Sequence, residues 1–274
     1  MRQIREIQAS DGYPLRYYVW DAPEAAHVVF FIHGFMSHTL WVQPQLNTLR
    51  RLGYKVVGIE RRGAGINRLH LGDAPSAQQL LDDHELVIAC EGKEKKIHIW
   101  GWCLGGVIAL NYISHTKQHL TSLMLAAPSI FPQEHLVERA KRIGAHPVGP
   151  CTAVELPLAI CEEDFTKGPQ LKSFILKDTL RTNRVSYRFY EIQRKLSQAA
   201  WVSALKGTLQ LPTLLILGSQ DVIVDNVRTE SVFKPLRACQ ITHIDAGHGI
   251  QFEKGDELTT ALTNWLDRFH GDHL

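Results

Sequence analysis

The feature that most constrains how this chain can fold is the stretch Ile97-His98-Ile99-Trp100-Gly101-Trp102-Cys103-Leu104-Gly105-Gly106-Val107-Ile108-Ala109-Leu110. A short apolar run ends in Gly-x-Cys-x-Gly-Gly and passes at once into an apolar, alanine-containing helical pattern. A strand that becomes a helix within about three residues needs small neighbours on both sides of the turn, and Gly101 and Gly105 stand where a Cβ would collide. The residue at the tip, Cys103, is then held in a strained backbone with its side chain above the sheet edge. It also sits at a helix N-terminus, whose free N–H groups and roughly half a positive charge favour a thiolate. Cys103 is therefore a candidate nucleophile. Taken alone, the same six residues also describe an ordinary strand–helix turn around an inert cysteine.

The rest of the composition narrows the setting. At 274 residues the chain can bury one core, or one core with a small inserted lid. Its 45% hydrophobic and 21% charged residues are those of a globular protein. A formal charge of +2, without a basic stripe interleaved with aromatics, argues against a nucleic-acid partner. No run approaches the ~18 apolar residues of a membrane span, and Met1–Ile7 lacks the apolar core of a signal peptide. The five cysteines (Cys90, Cys103, Cys151, Cys161, Cys239) are odd in number and lack framework spacing, which predicts reduced thiols and a cytoplasmic location. Cys151 and Cys161 lack metal-ligand spacing and read as packing. With no phosphate-binding Gly-x-x-x-x-Gly-Lys-Ser/Thr and no His-Glu-x-x-His, no cofactor and no metal are expected.

Taken in order, residues 2–9 and 13–21 alternate around Asp11-Gly12 and predict an antiparallel hairpin. The continuous apolar runs His27–Ile32 and Lys55–Ile59 predict strands buried on both faces. A helix is predicted from Trp41 to Leu52, and another from a Ser76 cap to about Cys90. The elbow and Leu120–Ala127 complete a strand–helix alternation, which implies a doubly wound, mostly parallel sheet. The rhythm breaks at Pro128. Residues 130–205 show no apolar strand but three amphipathic helical stretches (134–143, 170–181, 185–205), divided by Pro147, Pro150, Pro157 and Pro169. They predict a helical cap inserted into a core of residues 1–129 and 206–274. The strand pattern returns at Thr213–Leu217, followed by a helix over 226–237, a strand at Cys239–Ile244 and a helix over about 255–269 with Leu258, Leu262, Trp265 and Phe269 on one face.

In an open parallel sheet, reactive groups gather at the C-terminal ends of strands. Four predicted strand ends carry suitable chemistry: His33-Gly34-Phe35, Cys103, Asp221 and His248. A lone Asp after a strand is usually a turn former, and one His among 14 is usually bland. Four placements in the order Cys…Asp…His are hard to attribute to coincidence. Asp225 is the alternative acid, but Asp221 stands directly at its strand end.

The whole chain resembles the monoacylglycerol-lipase-like (serine aminopeptidase) group of α/β-hydrolases, cap included. His33-Gly34-Phe35 is similar to that family's oxyanion loop. Glu60-x-Arg62-Gly63-Ala64-Gly65-Ile66-Asn67 is similar to its Asp-x-Arg-Gly-x-Gly-x-Ser, with Glu60 and Asn67 as departures. Gly218-x-x-Asp221 and Gly247-His248, with Phe252-Glu253 beyond, match its acid and base segments. Cys103 stands where the family has serine, and this elbow resembles those of dienelactone hydrolases and polyhydroxyalkanoate synthases. The resemblance implies an α/β-hydrolase fold, with Cys103 as nucleophile, His248 as base, Asp221 as its orienting acid, and the N–H groups of Phe35 and Leu104 as the oxyanion hole. Trp41, Trp102 and Phe131, with Leu156 and Leu158, are candidates to line the acyl pocket. The expected substrate is a small acyl ester or thioester, CoA- and carrier-protein-bound acyl groups included. Hydrolysis, acyl transfer to a non-water acceptor, and ligand binding without catalysis are the three readings the sequence leaves open.

Overall fold

A computed structural model describes residues 2–143, 155–205 and 209–270. The chain opens with the predicted hairpin, β1 (Arg2–Gln8) and β2 (Pro14–Trp20). It continues through β3 (His27–Ile32), α1 (Gln43–Arg51), β4 (Lys55–Ile59), α2 (Ala77–Glu91), β5 (Lys96–Trp102), α3 (Leu104–His115) and β6 (Leu120–Ala126). One sheet of eight strands runs in the order β1-β2-β4-β3-β5-β6, then β9 (Thr213–Gly218) and β10 (Cys239–Ile244). β1 and β2 pair antiparallel with each other, and β2 with β4; every other pairing is parallel. This is the α/β-hydrolase fold.

The apolar runs explain the layering. Along β3, Val28, Phe30 and Ile32 enter one cluster of buried side chains while Val29 and Phe31 enter the other, on the opposite face. A strand covered on both faces needs apolar residues at every position, not at every second one. Helix α10 (Gly255–Asp267) buries Leu258, Leu262 and Trp265 against the second cluster, on the face its spacing predicts.

Between β6 and β9 the chain leaves the sheet. It forms α4 (Glu134–Arg142), a two-stranded antiparallel ribbon of β7 (Glu155–Pro157) and β8 (Arg184–Ser186), α5 (Glu162–Phe165), α6 (Pro169–Lys177) and α7 (Tyr187–Leu205). The ribbon departs from the expectation of a strand-free segment, because three residues per strand are too few for a period-two pattern to register. It also moves the start of the last cap helix to Tyr187, where Ser186 Oγ accepts from the Phe189 N–H at 3.0 Å. A second departure lies at Trp41–Leu52. Thr39–Val42 forms a tight 3₁₀ turn and α1 starts afresh at Gln43, so that Pro44 falls in the first helical turn, where its missing N–H is not needed. The helix after β9, α8 (Asn226–Phe233), stops short of its expected end and is followed by α9 (Ile250–Glu253) after β10. Cys151, Pro147 and Pro150 lie outside the described residues. Among the described residues no helix is long and apolar enough to cross a membrane.

Candidate active site

The loops after β3, β5, β9 and β10 meet at the same edge of the sheet, and each brings one component of a site. Cys103 adopts φ +55° and ψ −119°, a conformation costing on the order of 1–3 kcal/mol for a residue with a Cβ. The turn that imposes it closes only around glycine. A Cβ on Gly101 would lie 2.5 Å from the Gly105 carbonyl oxygen, and one on Gly105 would strike the Ile32 carbonyl. Cys103 is buried at the N-terminus of α3.

Asp221 and His248 come together from loops 27 residues apart. His248 Nδ1 and Asp221 Oδ2 are 2.8 Å apart, and both side chains are fully buried. The other carboxylate oxygen accepts the N–H groups of Ile223 (2.7 Å) and Val224 (3.0 Å), which fixes the plane of the acid. Asp225 instead caps α8, accepting from the Arg228 N–H at 3.0 Å. Asp221 and Asp225 thus have separate tasks.

His248 Nε2, on the ring edge away from Asp221, is buried and makes no hydrogen bond of ordinary geometry. The reactive group it influences is the Cys103 thiol. Burial pushes that thiol up, but the nearby His248 charge and the backbone N–H groups of Phe35 and Leu104 outweigh it, and Cys103 is held below the usual thiol range. Burial likewise pushes His248 down, and the Asp221 and Cys103 charges more than reverse this, so the imidazole is raised. Both shifts favour a thiolate–imidazolium pair.

The Phe35 and Leu104 N–H groups thus both favour the ionised Cys103 thiol. The loop carrying Phe35 is held atom by atom. His33 donates from Nδ1 to the Gly34 carbonyl (2.9 Å) and accepts the Arg61 N–H on Nε2 (3.1 Å), which assigns its tautomer. Burial holds its pKa well below the usual histidine value, so it orders the loop as a neutral ring. Ser37 Oγ accepts from the Gly34 N–H at 2.9 Å, and Arg61 Nη2 donates to the Phe35 carbonyl at 3.0 Å. A Cβ on Gly34 would approach that of Cys103 to 3.1 Å, so the loop lies directly against the elbow.

The Glu60–Asn67 motif is a brace. Glu60 is fully buried and accepts the N–H groups of Thr39 (2.6 Å) and Ile66 (3.3 Å). Burial raises its pKa. Gly65, at φ +52°, leaves room for the longer carboxylate, into which any Cβ there would run. Asn67 joins β2 to the end of β4 through Arg16 and the Glu60 carbonyl, and Arg62 pairs with Asp83 and Asp11.

Of the expected pocket residues, Trp102 and Trp41 belong to one aromatic wall. The Trp102 ring lies 5.6 Å from His248 and 6.0 Å from Trp41, and Phe165 of the cap stands 5.4 Å from His248 and 6.1 Å from Trp102. Phe131 belongs to a different cluster, where its ring meets Trp201 at 5.9 Å and the Arg228 guanidinium at 4.4 Å. Leu156 is buried in the cap ribbon and Leu158 packs against both core clusters. Two contributors were not singled out by sequence reasoning: the buried Arg61, and the pair His38–Asp178, 2.8 Å apart; Phe165 lies in a cap stretch, Asp164-Phe165-Thr166, that itself resembles the family. Arg61 sits at the unassigned position of the brace motif, and Asp178 lies 140 residues from its partner, so neither carried a local signal.

Comparisons with known proteins agree with this architecture. The chain is 24% identical to the human monoacylglycerol lipase ABHD6 over 98% of its own length and 83% of that protein's. It is 19% identical to the AB hydrolase superfamily protein YisY of Bacillus subtilis, over 86% of this chain and 90% of that one. Among solved structures, the monoacylglycerol lipase of Paleococcus ferrophilus superposes with a TM-score of 0.79 at 21% identity, covering 92% of this chain and 98% of that one. A soluble variant of the Saccharomyces cerevisiae monoglyceride lipase in complex with a substrate analog gives 0.80 at 19% identity, covering 97% and 94%. The family profile described as serine aminopeptidase, S33, matches residues 23–255. With that match over most of its length, the chain belongs to the serine aminopeptidase S33 family of α/β-hydrolases.

Proposed function

We propose that this protein is an acyl hydrolase that works through a covalent acyl-Cys103 intermediate on a small ester or thioester. The observation that carries the reading is the strained Cys103 at the N-terminus of α3, with the Gly34–Phe35 loop against it and His248 held 2.8 Å from the buried Asp221; the lowered thiol and raised imidazole agree. The similarity to monoacylglycerol lipases of human and yeast supports an acyl ester as the substrate class.

The Cys103 thiolate attacks the acyl carbon, and the carbonyl oxygen takes up negative charge facing the Phe35 and Leu104 N–H groups. One such donor is typically worth ~3–4 kcal/mol of barrier. The tetrahedral species collapses as the imidazolium of His248 gives its proton to the departing alkoxide or thiolate. That leaves an acyl thioester on Cys103 and a neutral His248. Water then attacks the thioester carbon while His248 takes its proton. The carboxylic acid departs, and the thiolate–imidazolium pair is restored. Asp221 keeps the proton-bearing Nδ1 turned toward itself throughout, so Nε2 faces the reaction.

Cysteine in place of serine shapes the preference. Exchange between a substrate thioester and Cys103 is nearly isoenergetic, so thioesters and activated lactones suit it well. Transfer to an alcohol or amine is the second reading. It is favoured by the dry surroundings of the site: Cys103 is 3% exposed, His248 is fully buried, and Trp102 and Phe165 wall the imidazole. Intact-mass analysis after brief exposure to a panel of acyl thioesters, beside Cys103→Ala, tests both readings. An adduct on the unaltered chain alone is expected. Its decay in water, against decay with added alcohols or amines, separates hydrolysis from transfer. No adduct and no turnover would overturn the reading in favour of a ligand-binding role.

A further inference from the structure

The cap reaches the oxyanion loop chiefly through one largely buried carboxylate. Asp178 follows α6, and its Oδ2 accepts from His38 Nε2 at 2.8 Å and from the Trp41 indole N–H at 2.5 Å. Its Oδ1 accepts the Leu180 N–H at 2.9 Å. His38 Nδ1 in turn accepts the Leu40 N–H at 3.3 Å, which leaves the ring proton on Nε2, pointing at the carboxylate. Beside this contact the Thr182 N–H donates to the Met36 carbonyl at 2.8 Å, and Arg68 reaches the Thr179 carbonyl at 2.9 Å. Cap residues 178–182 are thus bonded to Met36, His38 and Trp41, which directly follow Gly34 and Phe35. From the other side Arg61 holds the Phe35 carbonyl, its guanidinium lying 4.5 Å from the ring of cap residue Phe189. The Phe189 ring itself stacks on that of Phe35 at 5.7 Å. A nearly buried carboxylate satisfied by ring N–H donors from another part of the fold is costly to place, and it holds direction better than an apolar contact could.

We propose that Asp178 is a positioning residue: by gripping His38 and Trp41 it makes the geometry of the oxyanion loop depend on the seating of the cap, so the hole is complete only when the cap is closed. The inference rests on the proposed role of the Phe35 N–H as an oxyanion donor. A substrate entering under a raised cap meets the thiolate but an unassembled hole, and acylation awaits closure.

The test is Asp178→Asn in the full chain. Asn keeps the volume but has one acceptor oxygen, so its amide N–H₂ must face either the Leu180 N–H or the two ring donors. Two rates are read: steady-state cleavage of a short-chain nitrophenyl ester, and alkylation of Cys103 by iodoacetamide followed by intact mass. Alkylation needs the thiolate and no oxyanion hole. The expected result is a fall in kcat of at least about tenfold with KM within about twofold, and alkylation undiminished. Trp41→Phe, which keeps the ring packing and removes one donor, is expected to lower kcat by about threefold in the same pattern. Parallel loss of both rates would overturn the proposal, because Asp178 would then act on Cys103 or on folding. Unchanged kcat in both variants would also overturn it. Absence of any ester turnover or acyl adduct in the unaltered chain would bring down the nucleophile reading, and this inference with it.

Discussion

Among the described residues, two cysteines occupy the N-cap position of a helix, and their acidities move in opposite directions. Cys103 precedes the twelve residues of α3 and is held below the usual thiol range. Cys161 precedes the single turn of α5 and is pushed up to about 11, first by burial and then by Asp164 and Glu163. Burial opposes ionisation at both. The difference lies in what faces each sulfur. Cys103 meets a histidine that a buried aspartate keeps charged, plus two backbone N–H groups. Cys161 meets its own capping box: its N–H donates to Asp164 Oδ2 at 2.8 Å and its thiol to the same oxygen at 3.3 Å. Glu162, Glu163 and Asp164 all sit in that first turn and offset the positive end of a very short dipole. A helix terminus sets the stage for a thiolate; the partner across the gap decides whether one forms.

The largest expected effect comes from removing that partner. His248→Ala takes away the main group that stabilises the thiolate, along with the proton donor to the leaving group. Turnover of a thioester should fall by about 10³-fold or more. The pH at which Cys103 alkylates half-maximally should rise to about 8.5 or above, since burial is then opposed only by the Phe35 and Leu104 N–H groups. A variant that kept its low alkylation midpoint would show that the helix terminus, not the histidine, makes the thiolate.

Asp221→Asn should cost up to about 10⁴-fold in kcat, and no more than His248→Ala, because the imidazole remains in place with its orientation and charge less well supported. The Ile223 and Val224 N–H groups need an acceptor oxygen at this position. The amide would therefore turn its N–H₂ toward His248 Nδ1 and favour the wrong tautomer. Loss of activity with alkaline recovery absent would agree; full activity would remove Asp221 from the mechanism.

In the unaltered chain the contrast can be read directly as a pH profile. The lowered Cys103 pKa means its thiolate is present above that value and is lost as pH falls through it. Alkylation at Cys103 should thus set in at lower pH than at an ordinary thiol. Cys161, at about 11, should react only in strong alkali, and Cys239, raised to a similar value by burial, should behave alike. Peptide-resolved alkylation across pH 5–10 separates the three, spanning both sides of the ordinary thiol value near ~8.5. Equal reactivity of Cys103 and Cys161 at neutral pH would break the comparison.

How much of this was legible depended on how local the physics is. The elbow could be read because the close approach that demands Gly101 occurs within five residues of chain, whereas the Ile32 carbonyl that demands Gly105 comes from a distant strand. The strands could be read because burial on both faces writes a continuous apolar run. Asp221 could be preferred over Asp225 because strand ends are visible in the pattern, and the structure gives the second acid to a helix cap. What escaped was set by distant partners. Nothing in the local sequence around His38 points to Asp178, and nothing around Arg61 says that its charge will be buried beneath Phe189. The cap ribbon escaped because its pairing, not its composition, makes it a ribbon. Phe131 has the right residue type and lies near the right strand end, yet its ring turns to Trp201 and Arg228.

The smallest expected effect is the sharpest test of the opening contrast. Asp164→Asn removes the charge facing Cys161 while keeping an oxygen that can accept the Cys161 N–H. With the Asp164 carboxylate gone, the Cys161 thiol should drop part of the way from about 11 toward the ordinary value, since burial, the largest cause, and Glu163 remain. It should not reach the range of Cys103, because no cation from a buried pair replaces the aspartate; Arg139, freed from its 2.7 Å pairing with Asp164, is more than one-third exposed and screened by water. The cap would lose part of a capping box and one partly exposed ion pair, together worth about 1 kcal/mol, so a shift of a few degrees in thermal melting is expected. Turnover should change by less than about twofold, because the carboxylate of Asp164 takes no part in proton transfer. If Cys161 instead became as reactive at neutral pH as Cys103, a buried helix N-terminus would suffice to make a nucleophile, and His248 would be left with proton transfer alone.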